Sequence, residues 1–284
     1  DYLKSVRQGR YLSSFHFSET VEDSFVKCRL TIQVLLAITC FCSKSHGGPA
    51  LVLEVTYAQT PPALDGVLAD WTDVEWHIFA PDAPHCLNLM NDDGADEPGI
   101  SKSSSDLSGS FAMQWDNDWI YLATRVSDNI HSVPDSTEGN WYLNDSISLF
   151  FDVPLDGDGP AYRLGDHSFS FVADPAYPHH GQWWRYGNRA GRRIEQSTAA
   201  GHAQVGRGTR LAVKSTDSGY ELEAAIPLRV LLPDAETFAG LLARQTFGFM
   251  FLATDVDKDV RGDFDLQSQI NFGGDDDDDS KWSR

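Results

Sequence analysis

Basic residues are scarce in this chain: Lys and Arg number 22 against 42 Asp and Glu, a formal net charge of −20 at pH 7. A surface of that sign repels nucleic acid phosphates and anionic lipid headgroups over a Debye length, roughly 8 to 10 Å in physiological salt. Nucleic acid is excluded as a partner, and neutral or cationic ligands suit the chain better. Usable cysteine is scarce too. Of four cysteines, Cys28, Cys40 and Cys42 share one N-terminal segment, which leaves Cys86 alone. No disulfide can form within the remainder, so a packed core has to hold it together.

Catalytic signatures are missing as well. There is no GxSxG elbow and no Walker loop, and His167, His179, His180 and His202 show no zinc spacing such as HExxH. The lone Cys86 has acidic surroundings, which do not favour a thiolate. A glycosidase needs two carboxylates at a set separation, and acids are too abundant here to single out a pair. Nothing in the pattern argues for catalysis.

The one long apolar run is Leu30 to Cys42, inside "VKCRLTIQVLLAITCFCSKSHGG", residues 26–48. Lys27 and Arg29 precede it and small polar residues follow, which is the layout of a secretory signal peptide. The run is too short to cross roughly 30 Å of hydrocarbon comfortably. Residues 1–25 are then an upstream leader outside the fold, and residues 50–284 form one exported domain with no membrane insertion of its own. The expected location is secreted or extracytoplasmic, with the periplasm and the cell surface included.

From residue 50 onward, short apolar segments alternate with clusters of Gly, Pro, Asn and Asp, and no internal repeat is present. This spacing predicts an all-β chain, an antiparallel β-sandwich of immunoglobulin-like or jelly-roll-like kind. "GSFAMQW" places Phe111, Met113 and Trp115 on one face, and after the turn "DND" the segment "WIYLATRVSD" aligns Ile120, Leu122 and Val126. "DSISLFFD" aligns Ile147, Leu149 and Phe151, "HSFSFVAD" aligns Phe169 and Phe171, and "GYELEAAIP" aligns Tyr220, Leu222, Ala224 and Ile226. "TFGFMFLATDVD" is apolar on both faces and predicts a central strand. One short helix is predicted over residues 234–245, with Asp234 as its cap and Phe238, Leu241 and Leu242 as its stripe.

Three groups carry candidate chemistry. The loop "DPAYPHHGQWWRYGNRAGRR" gathers Trp183 and Trp184 with four arginines, a pattern suited to stacking on a sugar or gripping a carboxylate, or to folding back on the sandwich. Asp255, Asp257 and Asp259 in "TDVDKDVRGD" are spaced as ligands of a hard cation such as calcium, and a solvated turn explains them equally well. Trp141 precedes the strand of "WYLNDSISLFFD" and is tied to neither face by alternation, so it can be a packing residue or an exposed platform.

Taken together and in order, "PPALDGVLADW", "SFAMQWDNDWIYLATRVSD", "WYLNDSISLFFD", "GYELEAAIP" and "FGFMFLATDVD" resemble the family 9 carbohydrate-binding modules over residues 58–284. The resemblance implies a β-sandwich that holds a saccharide between aromatic rings without cleaving it, often with structural calcium. Trp141 falls on one of the family's two sugar-sandwiching tryptophans, and Asp145 belongs to the same motif. Where the family has a glutamate, an arginine and a glutamine on the sugar, this chain has Ser148, Ser170 and Leu252. The implied site is therefore Trp141, Asp145, Ser148 and Ser170, with Trp183 or Trp184 closing it; the second tryptophan of the family would fall near Asp276, with Trp282 as a substitute. The implied partner is an extracellular saccharide or polysaccharide. Competing readings are an accessory piece of a glycoside hydrolase, a related haem b sandwich using Met113 and His167, and a structural envelope protein that lost its sugar site.

Overall fold

The computed structural model describes residues 36–40, 51–92, 95–98, 103–134, 141–152, 166–177, 181–186, 193–198, 208–231, 247–257 and 266–274. All of them belong to one compact unit, Gln33–Arg284. They form a sandwich of two sheets. The first has seven strands: β1 (Leu36–Cys40), β2 (Leu51–Tyr57), β3 (His77–Phe79), β6 (Leu107–Trp115), β7 (Trp119–Asp128), β12 (Arg210–Thr216) and β13 (Gly219–Pro227). Its order is β1-β2-β6-β7-β13-β12, with β3 beside β6. The second has eight: β4 (Cys86–Asp92), β5 (Ala95–Pro98), β8 (Ser146–Asp152), β9 (His167–Val172), β10 (Gly181–Tyr186), β11 (Arg193–Thr198), β14 (Gly248–Asp257) and β15 (Leu266–Phe272). Their order is β11-β10-β9-β8-β14-β15-β4-β5. Every pairing is antiparallel except the short contact of β2 with β6.

The period-2 pattern explains which face is buried. Phe111, Met113 and Trp115 of β6, Ile120, Leu122 and Val126 of β7, and Tyr220, Leu222, Ala224 and Ile226 of β13 form one wall of the core. Ile147, Leu149 and Phe151 of β8, Phe169 and Phe171 of β9, and Phe249, Phe251 and Ala253 of β14 form the other. Phe111 stacks on Phe251 across the two sheets, with ring centroids 4.4 Å apart and planes 10° from parallel. Gly109 makes room for this layer: a Cβ there would lie 2.5 Å from the Phe79 ring and 2.1 Å from the Arg125 carbonyl oxygen. β14 is buried along its whole length between β8 and β15, as its two apolar faces require.

One expectation differs from the structure. The tryptophan- and arginine-rich segment, read as a loop, contains β10, which pairs with both β9 and β11. Its aromatic residues favour a strand, and the flanking Gly and Pro clusters hid it. The segment read as the apolar part of a signal peptide contributes β1, an edge strand on β2. The predicted helix over 234–245 lies outside the described residues; the α-helical turn among those residues is α1, Leu228–Leu231. No helix among the described residues is long and apolar enough to cross a membrane. Met113 packs in the core between the sheets, and His167 is buried with its ring stacked on Phe169.

The outer face of the seven-stranded sheet is capped by the segment from Ala58 to Trp76. Leu68 and Trp71 pack there on Ala112, Tyr121, Ala123 and Ala225. What pins the cap is Glu223, fully buried on β13. Its Oε1 accepts the Trp71 indole N–H at 2.8 Å, and its Oε2 accepts the backbone N–H of Gly66 at 2.7 Å and of Asp65 at 3.0 Å. Gly66 is at φ +76°, and a Cβ there would lie 3.0 Å from Lys214 Cβ, which accounts for glycine in the "LDG" turn. Replacing Glu223 by Ala strands three donors, at a cost of about 1 to 3 kcal/mol for a buried group left unpaired and more for several. Glu223→Ala should therefore lower the urea midpoint by an amount equivalent to about 3 kcal/mol, and Glu223→Gln by less; an unchanged midpoint for Glu223→Ala contradicts this role.

Candidate functional site

Trp141 opens a single 3-10 turn, Trp141–Leu143, on the approach to β8. The turn closes through Asn144 N–H to the Trp141 carbonyl at 3.2 Å, and the Ser146 hydroxyl donates to the same carbonyl at 2.9 Å. The indole is half-buried and packs on Phe150, Met250 and Leu252, with Tyr142 edge-on at a centroid distance of 5.9 Å. These three apolar residues alternate with the core-facing ones, so Trp141 lies against the outer face of the eight-stranded sheet. Half of the question left by the sequence is answered: one part of the ring packs and the rest is accessible.

Across that outer face, register aligns Asn271 of β15, Leu252 of β14, Ser148 of β8 and Ser170 of β9 in one row, and the backbone of Gln182 of β10 pairs next to Ser170. Ser148 and Ser170 are buried, and the Ser148 hydroxyl donates to the Ser170 hydroxyl at 2.8 Å. The two serines thus pair with each other on the sheet face that carries the Trp141 floor. Trp183 is the register partner of Phe169 and Trp184 that of Ser168, which brings both onto the strand next to β9. Asp276 and Trp282 lie outside the described residues.

Asp145 occupies a different place from the sugar-facing one its motif implies. Its carboxylate is buried and accepts the backbone N–H of Val256 at 2.8 Å and that of Ser132, while its own N–H donates to the Ser132 carbonyl at 2.9 Å and its carbonyl accepts from Ala173 N–H at 2.9 Å. It also joins a group of acids. Carboxylate oxygens of Asp128, Asp145 and Asp255 lie within 4.8 Å of one another, as do those of Asp106, Asp255 and Asp257. Asp106 and Asp128 come from the β6–β7 end of one sheet; Asp145, Asp255 and Asp257 come from the β8–β14 end of the other. Asp255 and Asp257 were expected as ligands from their spacing, and Asp259 lies outside the described residues. Asp106 and Asp128 were missed, because each is a single acid at a strand end far away in sequence.

The cluster fits a hard cation. Asp106 Oδ1 is taken by the Asn129 amide, Asp128 Oδ1 by Ile130 N–H and Asp255 Oδ2 by the Ser268 hydroxyl, yet Asp106 Oδ2, Asp128 Oδ2 and Asp255 Oδ1 are buried with no hydrogen-bond partner. The orphaned oxygens belong to two triads that share Asp255, together an oxygen-only ligand set of the kind calcium takes. Without a cation, burial and then the neighbouring Asp128 push the Asp145 carboxyl well above its ordinary value, and burial with Asp128 and Asp257 pushes Asp255 up to about 8. Burial also raises Asp128.

The family described as carbohydrate family 9 binding domain-like matches residues 96–282 of the chain. Among solved structures, the chain is similar to a carbohydrate binding module family 9 from Caldicellulosiruptor kristjanssonii in complex with glucose, at 18% identity and a TM-score of 0.48, covering 80% of this chain and 90% of that one. The complex of a module from the same organism with cellotriose shows 18% identity and a TM-score of 0.45, covering 76% of this chain and 80% of that one. No curated protein matches the chain.

A buried carboxylate with a raised value keeps its proton in the folded chain and loses it in the unfolded one. Between the ordinary value and about 8, the folded state of the metal-free protein therefore binds more protons, and stability falls as pH rises. In chelator, the melting temperature should decline from about pH 5 to about pH 8. Calcium needs the deprotonated ligands, so its stabilising effect should grow toward pH 8, reaching about 2.7 kcal/mol at a hundredfold excess over its Kd. Scanning calorimetry with and without calcium checks this; a melting temperature indifferent to calcium at pH 8 contradicts it.

Proposed function

The chain belongs to the carbohydrate family 9 binding domain-like family, which matches it over more than half its length, and we propose that it binds saccharide through the outer face of its eight-stranded sheet. Non-catalytic carbohydrate binding is the function that goes with this membership. The observation that carries the site is Trp141: a half-buried indole set on an apolar floor by a turn that Asp145 ties to β14 and to the ends of two loops. A ring held in this way offers a flat apolar surface to the axial C–H face of a pyranose. Of the two tryptophans of β10, Trp184, whose register partner is Ser168 and not the core residue Phe169, is the proposed aromatic partner across the same sheet.

The proposal gives different roles to the residues that the family motif groups together. Trp141 contacts the sugar. Asp145 is a positioning residue, acting through the turn, and belongs with Asp106, Asp128, Asp255 and Asp257 to a proposed calcium site. A cation bound there would supply the positive charge that lets five buried carboxylates share one end of the sandwich. Ser148 and Ser170, spent on each other, support the floor. With Ser148, Ser170 and Leu252 in place of longer polar side chains, stacking carries a larger share of affinity here, and discrimination between sugars that differ at one hydroxyl should be weak.

Export is part of the proposal and is supported by the apolar run Leu30 to Cys42 after Lys27 and Arg29. Removal of that segment would take β1 with it and leave β2 as the sheet edge, where Val52, Glu54 and Thr56 are already exposed. Intact mass of the purified extracellular protein tests this: a chain beginning after residue 42 supports export with cleavage, and one that retains residues 36–40 overturns it.

Trp141→Ala is the direct test of the site. Titration calorimetry against sugars selected on a glycan array should show at least about a tenfold loss of affinity, equivalent to about 1.4 kcal/mol. Ser148→Ala should change affinity far less. Equal binding by wild type and Trp141→Ala, at equal fold stability, would remove Trp141 from the site.

A further inference from the structure

A second concavity, of about 340 Å³, lies on the outer face of the other sheet, where the cap over β7 and β13 leaves part of that face open. Pro61, Pro62 and Leu64 wall one side, and Trp119, Tyr121 and Arg210 line the rest. The size is at the lower end of the roughly 300 to 1,000 Å³ usual for small-molecule pockets, room for one or two sugar rings. Its walls are set in advance. Ala63 N–H donates to Asp70 Oδ2 at 2.7 Å, and the next two residues but one, Asp65 and Gly66, are gripped by the buried Glu223.

The polar groups at its rim point to the class of ligand. Arg210 is exposed and lies over the Trp119 ring, its guanidinium carbon 4.6 Å from the ring centroid, and among the described residues it makes no ion pair. Its N–H fork, carried by this exposed side chain, can donate to acceptors. The Tyr121 hydroxyl donates to Asp116 Oδ2 at 2.7 Å, which leaves its oxygen free to accept. Asp116 is otherwise occupied: its Oδ1 takes the N–H of Asp118 and of Trp119, each at 2.8 Å. Asp116 and Asp118 surround the Tyr121 hydroxyl together with Arg210, which leaves no net positive charge there to attract an anion, and a chain of net charge −20 repels one at longer range. The remaining fit is a neutral ring bearing hydroxyls, with proline and tryptophan walls for its C–H faces and a donor and an acceptor for its edge.

We propose that this concavity is a second saccharide site, which takes a neutral pyranose and lets one domain bind carbohydrate on both faces of the sandwich. The proposal rests on the carbohydrate reading given above and adds a separate place for it. Because the two faces look away from each other, one short glycan cannot occupy both. The pair would bridge neighbouring chains of a polysaccharide and raise avidity without new contacts.

The test is a heteronuclear NMR titration of the full chain, ¹⁵N-labelled, with D-glucose, D-xylose, D-galactose and D-mannose. The Trp119 and Trp141 indole N–H signals are assigned from Trp119→Phe and Trp141→Ala. The Trp119 signal should shift with at least one sugar, should still shift in Trp141→Ala, and should need about tenfold more sugar in Arg210→Ala, which alters only an exposed side chain. Arg210→Lys, which keeps the charge and loses the fork, should weaken it less. A Trp119 signal that no sugar moves, or that moves identically in Arg210→Ala, overturns the second site; if Trp141 responds in the same titration the first site stands. If neither signal moves with any of the four sugars, the saccharide reading of both sites falls together.

Discussion

Five carboxylates meet where the two sheets come together beside the Trp141 turn, and their mutual repulsion is the constraint that the rest of this end of the molecule must satisfy. Two unit charges 4 Å apart at a protein surface repel by about 4 kcal/mol, so a cluster of this kind cannot remain fully ionised and uncompensated. Part of the compensation is internal: amide and hydroxyl donors take one oxygen each of Asp106, Asp128 and Asp255, and two backbone N–H groups hold Asp145. The orphaned oxygens that remain call for a proton or a cation. Because Asp145 is only four residues from Trp141 and is bonded to β14 and to the Ser132 loop, whatever neutralises the cluster also fixes the turn that carries the Trp141 ring.

The other buried acid, Glu223, shows the opposite solution. Three donors from the cap converge on its two oxygens, so no ion is needed, and the charge is turned into a clamp that holds the "LDG" turn and Trp71 on the sheet. The sandwich thus has one outer face closed by a satisfied carboxylate and one end held by an unsatisfied group of them. The first arrangement shapes the walls beside Trp119 and Arg210, and the second positions Trp141. Both proposed sugar contacts therefore depend on carboxylates that never touch the ligand.

Most of the sandwich was legible in the alternation of apolar residues. Ile147, Leu149 and Phe151 are in the core because a strand repeats every second residue, and β14 is central because Phe249 and Met250 are both apolar. Register and long-range encounter were not legible. Nothing local tells that Ser148 sits opposite Ser170 and spends its hydroxyl there, or that Asp106 and Asp128 reach Asp255 across the sheets. The spacing of Asp255 and Asp257 suggested a metal loop, but the two residues are at the end of a strand, where a spacing of two puts both carboxylates on one side. β10 was hidden for a related reason: its aromatic residues are strand formers, and the punctuation around them outweighed that signal.

The central claim is that the carboxylate cluster and the sugar platform are one coupled unit. The most direct measurement is saccharide affinity by calorimetry on the wild-type chain at pH 8, with saturating calcium and again with chelator, under conditions where circular dichroism shows both samples folded. A distinctly tighter affinity with calcium, matched by a tighter calcium affinity with sugar as linkage requires, is the predicted result. Equal sugar affinity in the two samples would contradict it and leave the cluster with no part in holding Trp141.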